Sequence, residues 1–118
     1  MAKNAKKVYG IELVEEAVAA ANENAKLNNI NNCEFIAGDV FEKLSELKEK
    51  PEVIIIDPPR VGVHEKAIKK IAEYGMDELI YVSCNPKSLV ENIKQLETSG
   101  YTVENLVLVD MFPHTAHV

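Results

Sequence analysis

Segments with helical periodicity alternate with short apolar segments along this chain, and that alternation restricts its fold more than any other feature. The clearest apolar segment is VIIID, in which four consecutive β-branched residues, Val53 to Ile56, precede Asp57. A short run of this kind between prolines indicates a strand that is buried on both faces. Because helical segments separate the apolar ones, we predict an α/β fold with a parallel sheet.

The same pattern predicts five strands and four helices. The predicted strands are residues 6–12, 33–39, 53–56, 78–84 and 101–112, and the predicted helices are residues 14–29, 40–50, 64–74 and 87–100. No internal repeat, low-complexity tract or linker divides the 118 residues. We therefore expect residues 1–118 to belong to one domain with one core.

Composition limits the class of protein and its partners. Hydrophobic residues make up 47% of the chain, but there is no apolar run of about 18 residues and no signal-like N-terminus, so we expect a soluble cytoplasmic protein. Thirteen Lys and Arg against nineteen Asp and Glu give a formal charge of -6, the wrong sign for unaided binding to nucleic acid. Cys33 and Cys84 lack metal-ligand spacing, so neither a disulfide framework nor a metal site is expected.

Polar residues stand at the carboxyl ends of four predicted strands, where open α/β sheets bind their ligands. They are Glu12, Asp39, Asp57 and Cys84. Glu12 suits the two hydroxyls of the ribose in a nucleotide-type cofactor. Asp39 suits either an adenine amino group or the capping of the helix that begins near Val40, and both interpretations stay open.

The DPPR segment, residues 57–60, predicts a stiff loop directly after a strand. Two prolines restrict the backbone and hold Asp57 and Arg60 in place. The loop can hold carboxylate and carbonyl acceptors against a polar planar group, and the Arg60 guanidinium can bind a phosphate or a carboxylate. The alternative is a rigid turn that has no chemical role.

The SCNP segment, residues 83–86, places Cys84 between a strand end and a helix start. Helix N-terminal dipoles favour a thiolate, and a thiolate is a nucleophile. The alternative for Cys84 is a small buried residue that completes a strand. Cys33 opens a strand with no polar neighbours and is assigned to packing.

Five motifs, KKVYGIE, AGDV, DPPRVG, YVSCNP and DMFPHTAHV, cover nearly the whole chain. In their order and spacing the chain resembles the S-adenosylmethionine-dependent RNA uracil-5 methyltransferases, which make 5-methyluridine in transfer and ribosomal RNA. The last three motifs together are highly specific, whereas Asp-Pro-Pro alone also occurs in amino-group methyltransferases. The resemblance implies a Rossmann-like methyltransferase fold, S-adenosylmethionine as cofactor and tRNA or rRNA as partner.

The resemblance also implies that Cys84 is the catalytic nucleophile, which adds to C6 of a uracil so that C5 can take the methyl group. The target base must leave its stack, so an unpaired loop is the expected substrate. The implied binding residues are Glu12 for the ribose, Asp39 near the adenine, Asp57 in the shared cofactor and uracil pocket, and Arg60 at the substrate. His114 and His117 are implied as orienting residues at most.

In two places the chain departs from the family pattern. The family's first strand and glycine-rich loop would precede AKNAKKVYGIE, and its catalytic glutamate and last strand would follow Val118. We therefore expect an incomplete methyltransferase domain that is inactive in isolation. We also expect the strands with unpaired edges to do one of two things. They either rearrange into one sheet with a changed strand order or pair across a homodimer.

Two other functions stay open. An amino-group methyltransferase would need an aromatic residue where Arg60 stands, and it would leave Cys84 without a role. A non-catalytic binding or folding module is the second alternative, since the glycine-rich loop and the catalytic base of the family are missing from these residues.

Overall fold

A computed structural model of the protein describes residues 2–111 and 113–114. Its elements are β1 (Val8–Glu12), α1 (Glu15–Leu27), β2 (Cys33–Ala37), α2 (Val40–Glu46), β3 (Val53–Ile56), α3 (Glu65–Tyr74), β4 (Glu78–Tyr81) and α4 (Pro86–Thr98), preceded by a 3-10 helix at Ala2–Asn4. The predicted α/β class and the order of the first four strands and four helices are confirmed. The chain divides between Glu49 and Lys50 into two compact units, unit 1 and unit 2.

Unit 1 is built on a parallel pair, β1 and β2, in which Val8 lies opposite Cys33 and Glu12 opposite Ala37. Helix α1 packs against both strands and α2 packs against β1. Gly10 lies opposite Phe35, and a Cβ at position 10 would be 2.6 Å from Cδ1 of that ring. Because Gly10 has no side chain, the Phe35 ring can pack directly against β1.

Unit 2 is built on a second parallel pair, β3 and β4, and on the packing of α3 against α4. Its buried apolar side chains are Ile68, Ile71, Met76 and Leu96. Gly75, with a φ of 65°, ends α3, because glycine adopts the left-handed conformation at little cost. Burial of apolar side chains between α3 and α4 thus forms the core of unit 2.

The prediction that β3 is buried on both faces is wrong. Val53 and Ile55 are 39% and 42% exposed, whereas Ile54 and Ile56, which alternate with them, are half-buried. Ile80, opposite Ile55 on β4, is 41% exposed. Successive strand residues point to opposite faces, so one face of this pair is left open within unit 2.

The predicted strand at 101–112 is also wrong for the described residues, since 101–111 form no helix or strand. Leu106, Val107 and Leu108 are 72–75% exposed. A strand requires a hydrogen-bonding neighbour, and the ladders of unit 2 within the described residues join only β3 and β4. Phe112, the last residue of the predicted strand, lies outside the described residues.

The strands of the described residues also do not rearrange into one sheet. Residues 2–111 and 113–114 contain two separate two-stranded sheets, β1-β2 and β3-β4, so that expectation is wrong for this part of the chain. Pairing across a homodimer stays a prediction. A search of the described residues finds no helix long and apolar enough to cross a membrane.

Candidate active site

In unit 1, Glu12 and Asp39 lie at the same edge of the β1-β2 pair. Glu12 ends β1, and Asp39 follows β2 by two residues. The Gly38 N–H donates a 3.0 Å hydrogen bond to the Glu12 carbonyl oxygen, which extends the ladder to this edge. Both carboxylates are exposed. The structure therefore brings together two of the three residues predicted to bind the cofactor, and the third, Asp57, belongs to unit 2.

The Glu12 carboxylate stands at the start of α1. Its Oε1 accepts a 3.0 Å hydrogen bond from the Val14 N–H, and Val14 is an N-cap residue whose own side chain makes no capping bond. A carboxylate has about four lone-pair sites, so one backbone donor leaves capacity for others. An exposed carboxylate with this capacity fits the two hydroxyls of a ribose.

Asp39 caps α2. Its Oδ1 accepts hydrogen bonds from the Phe41 N–H at 2.9 Å and the Glu42 N–H at 3.2 Å. Of the two interpretations left open for Asp39, the structure shows the capping role. Contact with an adenine stays a prediction for this exposed side chain.

In unit 2, Asp57 and Cys84 lie beyond the same edge of the β3-β4 pair. The Val82 N–H donates a 2.9 Å hydrogen bond to the Ile56 carbonyl, directly before Asp57. Asp57 and Cys84 are both exposed. Arg60 lies on the turn that follows, which is closed by a 2.8 Å hydrogen bond from the Gly62 N–H to the Pro59 carbonyl.

Cys84 directly precedes the N-cap of α4. Asn85 is that cap, and its Oδ1 accepts a 3.1 Å hydrogen bond from the Lys87 N–H. Ser83 Oγ accepts from the Asn85 N–H at 3.1 Å, so the residues on both sides of Cys84 are tied together. The alternative of a buried packing cysteine is wrong here, because Cys84 is exposed. Cys33 is half-buried on β2, in keeping with a packing role.

Three polar residues of α4 and its cap, which the sequence interpretation did not single out, hold the loop after β3. We call Asn85, Ser88 and Asn92 the loop clamp. Asn85 Nδ2 and Ser88 Oγ donate to the Arg60 carbonyl at 2.8 and 3.1 Å. Asn92 donates to the Val63 carbonyl and accepts from the Val63 N–H, both at 2.8 Å. The available signal was their i, i+3, i+7 spacing on an otherwise amphipathic helix.

Two further residues complete this arrangement. Gly62 has a φ of 79°, and a Cβ there would be 2.6 Å from Asn92 Oδ1. The Tyr81 hydroxyl donates a 2.7 Å hydrogen bond to the same Oδ1. Burial raises the pKa of the Tyr81 hydroxyl above its ordinary value. Asn92 therefore contacts both the loop after β3 and the strand that leads to Cys84.

Of the two histidines of the PHTAHV segment, the structure describes His114. His114 is exposed and has a φ of 67°. His117 lies outside the described residues. An orienting role for either one stays a prediction.

Comparison with known proteins identifies the family. Residues 1–118 match the family model of tRNA (uracil-5-)-methyltransferases. The chain is 58% identical to an "Uncharacterized RNA methyltransferase" of Clostridium tetani and 52% identical to one of Caldanaerobacter subterraneus, covering 100% of this chain and 26% of each relative. This chain, with an exposed cysteine beyond a parallel strand pair, thus belongs to the tRNA (uracil-5-)-methyltransferase family.

A solved structure is also similar. It is the crystal structure of Pyrococcus abyssi tRNA (uracil-54, C5)-methyltransferase in complex with S-adenosyl-L-homocysteine. The similarity has a TM-score of 0.78 and 33% sequence identity, and it covers 94% of this chain and 26% of that chain. The chain therefore spans about a quarter of the length of the relatives that it matches.

Proposed function

We propose that these 118 residues form part of the catalytic domain of a cytoplasmic RNA uracil-5 methyltransferase. Its reaction is methyl transfer from S-adenosylmethionine to C5 of a uridine in transfer or ribosomal RNA. The observation that carries the proposal is the exposed Cys84 between the end of β4 and the start of α4, in a chain of this family. The fold that we propose for this catalytic domain is Rossmann-like.

The chemistry assigned to Cys84 is addition to the uracil ring. A thiolate bonds to C6, and the electron pair of the C5–C6 double bond moves toward C5 and the C4 carbonyl. C5, which is a poor nucleophile in free uracil, becomes an enolate-like carbon. Once C5 carries the methyl group, loss of the C5 proton to a base and elimination of the Cys84 thiolate from C6 restore the C5–C6 double bond.

Glu12 and Asp39 are the proposed cofactor residues. Glu12 would accept hydrogen bonds from the ribose hydroxyls, and Asp39 would lie at the adenine while its Oδ1 caps α2. S-adenosylmethionine, when bound, supplies the electrophilic methyl group that C5 receives. Both residues stand at the carboxyl edge of β1-β2, where ligands of parallel sheets bind.

Asp57 and Arg60 are the proposed substrate residues. Asp57 follows β3 at the edge where Cys84 follows β4, and it would also line the cofactor pocket. Arg60 would contact an anionic or carbonyl group of the RNA. The loop clamp supports this assignment, because it ties the Arg60 backbone to the helix that begins beside Cys84.

The amino-group methyltransferase alternative is not favoured, because the family match covers the whole chain. We also propose that the isolated 118 residues have no methyl-transfer activity, because they span 26% of the matched relatives. In isolation the chain would then be a folded module that lacks the rest of its catalytic domain.

A graft tests the proposed methyl-transfer function and the proposed inactivity of the isolated 118 residues. The 118 residues replace the corresponding segment of the C. tetani relative, and tritium transfer from labelled S-adenosylmethionine to unmodified tRNA and rRNA is measured. The unaltered relative and the P. abyssi enzyme are positive controls, and nucleoside analysis identifies the product. We expect 5-methyluridine from the graft, and background counts from the Cys84→Ala graft and from the isolated chain. Full activity after Cys84→Ala, with methyl groups on an exocyclic nitrogen, would support the amino-group alternative.

A further inference from the structure

The loop clamp acts on backbone groups of the loop that carries Arg60. Its bonds end on the carbonyl of Arg60 and on both peptide groups of Val63. They therefore set the path of the loop through its backbone. Because Asn85, Ser88 and Asn92 lie at i, i+3 and i+7, all three reach the loop from the same face of α4.

Burial makes these bonds costly to lose. Ser88 and Asn92 are 8% and 4% exposed. A buried donor or acceptor that loses its partner cannot readily exchange it for water. Gly62 packs against the same two side chains, since a Cβ there would meet Asn92 Oδ1 at 2.6 Å and Ser88 Cβ at 3.0 Å. The loop thus has one closely fitted position on α4.

The clamp also reaches the residues around Cys84. Asn85 directly follows Cys84, and its Nδ2 donates to the Arg60 carbonyl at 2.8 Å. Asn92 accepts a hydrogen bond from Tyr81, on the strand that precedes Cys84. The Arg60 backbone is therefore bonded to the cap and helix that follow Cys84. Val63, in the same loop, is linked through Asn92 to the strand that precedes Cys84.

We propose that Asn85, Ser88 and Asn92 are positioning residues that hold Arg60 at a fixed place beside Cys84. The purpose of this arrangement rests on the proposed function, because a thiolate and a substrate-binding guanidinium act together only in a defined relative geometry. The test below requires no methyl transfer, so it can fail or succeed independently of that function.

The experiment uses Cys84 as a reporter of nearby charge in the 118-residue chain. Alkylation rates of Cys84 by iodoacetate, an anion, and by iodoacetamide, which is neutral, are measured at low ionic strength by peptide mass spectrometry. Their ratio, divided by the same ratio for Cys33, cancels the intrinsic reactivity of the reagents. A positive charge held within roughly 10 Å of the thiol raises the ratio about twofold. Arg60→Gln removes that charge and defines the lower limit.

We expect Ser88→Ala and Asn92→Leu to lower the ratio toward the Arg60→Gln value. We also expect Asn92→Leu to accelerate hydrogen exchange at the Val63 amide, which Asn92 Oδ1 protects. Leu96→Ala is the matched control, because Leu96 is a buried residue of the same helix whose side chain takes no part in the clamp. It should lower the melting temperature and leave the ratio unchanged.

Melting curves identify a temperature at which the compared variants are folded. If Asn92→Leu does not fold, the comparison uses Ser88→Ala alone. A ratio in Ser88→Ala equal to that of the unaltered chain, while Arg60→Gln lowers it, would overturn the proposal. So would an Arg60→Gln ratio equal to that of the unaltered chain, since Arg60 would then not be held beside Cys84. A graft without methyl transfer, together with the expected ratios, would overturn the proposed function alone.

Discussion

The side chain of Asn85 caps α4 through its Oδ1 and donates from its Nδ2 to the carbonyl of Arg60, 2.8 Å away. One amide thus begins the helix after Cys84 and ties down the loop after Asp57. The two loops at the carboxyl edge of β3-β4 are therefore connected by direct hydrogen bonds. This connection is why changes at Asn85 should affect the chemistry of Cys84.

The first prediction concerns the reactivity of Cys84. Cys84 is exposed and Cys33 half-buried, so faster alkylation of Cys84 than of Cys33 at neutral pH is expected from access as well as from the helix dipole. The sharper comparison is Cys84 in the folded chain against Cys84 in urea. The helix dipole should make the folded rate about two- to fivefold higher.

Asn85→Asp is the matched variant for this test. It keeps an acceptor for the Lys87 N–H but places a negative charge beside the thiol, and we expect slower alkylation of folded Cys84. Iodoacetamide rates over pH 6–8 check both the effect of folding and the effect of Asn85→Asp on the alkylation of Cys84. A folded rate at or below the rate in urea would count against a primed nucleophile.

The second prediction concerns Gly62. Gly62→Ala forces a side chain into the left-handed region and against Asn92 Oδ1, and we expect the free energy of unfolding to fall by about 2–4 kcal/mol. Gly100→Ala is the control, since Gly100 has a φ of 94° but nothing within 4 Å of the added Cβ. Urea unfolding should show the smaller loss, about 1–2 kcal/mol, for the control. Equal losses would mean that the close approach to Asn92 has no energetic weight.

The third prediction concerns Tyr81 and alkaline pH. Tyr81→Phe removes the hydrogen bond to Asn92 and should cost about 1 kcal/mol at neutral pH. Because burial raises the pKa of the hydroxyl in the folded state, its contribution is fully present below the unfolded value of about 10 and is lost as pH rises through the folded value. The stability difference between the chain and Tyr81→Phe should therefore shrink above pH 10. A difference that stays constant to pH 11.5 would contradict this assignment.

The fourth prediction separates the two roles of Asp39. Asp39→Ala removes the acceptor for the Phe41 and Glu42 N–H groups and should lower the free energy of unfolding by about 1 kcal/mol. Asp39→Asn retains a good N-cap and should cost much less. In the active graft, calorimetry with S-adenosyl-L-homocysteine then isolates any cofactor contact. Unchanged affinity in Asp39→Asn would leave the residue with the capping role alone.

Strands β1 to β4 and their helices could be predicted because each has a local pattern. The segment at 101–112 has the pattern of a strand as well, but strand formation depends on a neighbour that the alternation of its own residues does not reveal. The same limit applies to Ile55, since β-branched character does not specify what covers the open face of β3.

Within the candidate site, the placement of Cys84 and Asp57 at one edge could be predicted because residues that end parallel strands meet there. The loop clamp could not. Asn92 looks like any polar helix residue until the fold brings Val63 and Tyr81 to its amide. Hydrogen bonds between residues 29 positions apart, such as that from Asn92 to Val63, depend on tertiary packing, which helical spacing alone does not specify.

The proposed attack of Cys84 on C6 of a uridine in RNA is tested most directly by a trapped adduct. The graft is incubated with S-adenosylmethionine and RNA that carries 5-fluorouridine, in which C5 has no proton to lose after methylation. Release is thereby blocked, so we expect a complex stable to denaturing electrophoresis and a nucleotide adduct on the peptide that contains Cys84. An adduct on another residue, or 5-methyluridine formed from normal RNA by a Cys84→Ser graft, would contradict the claim.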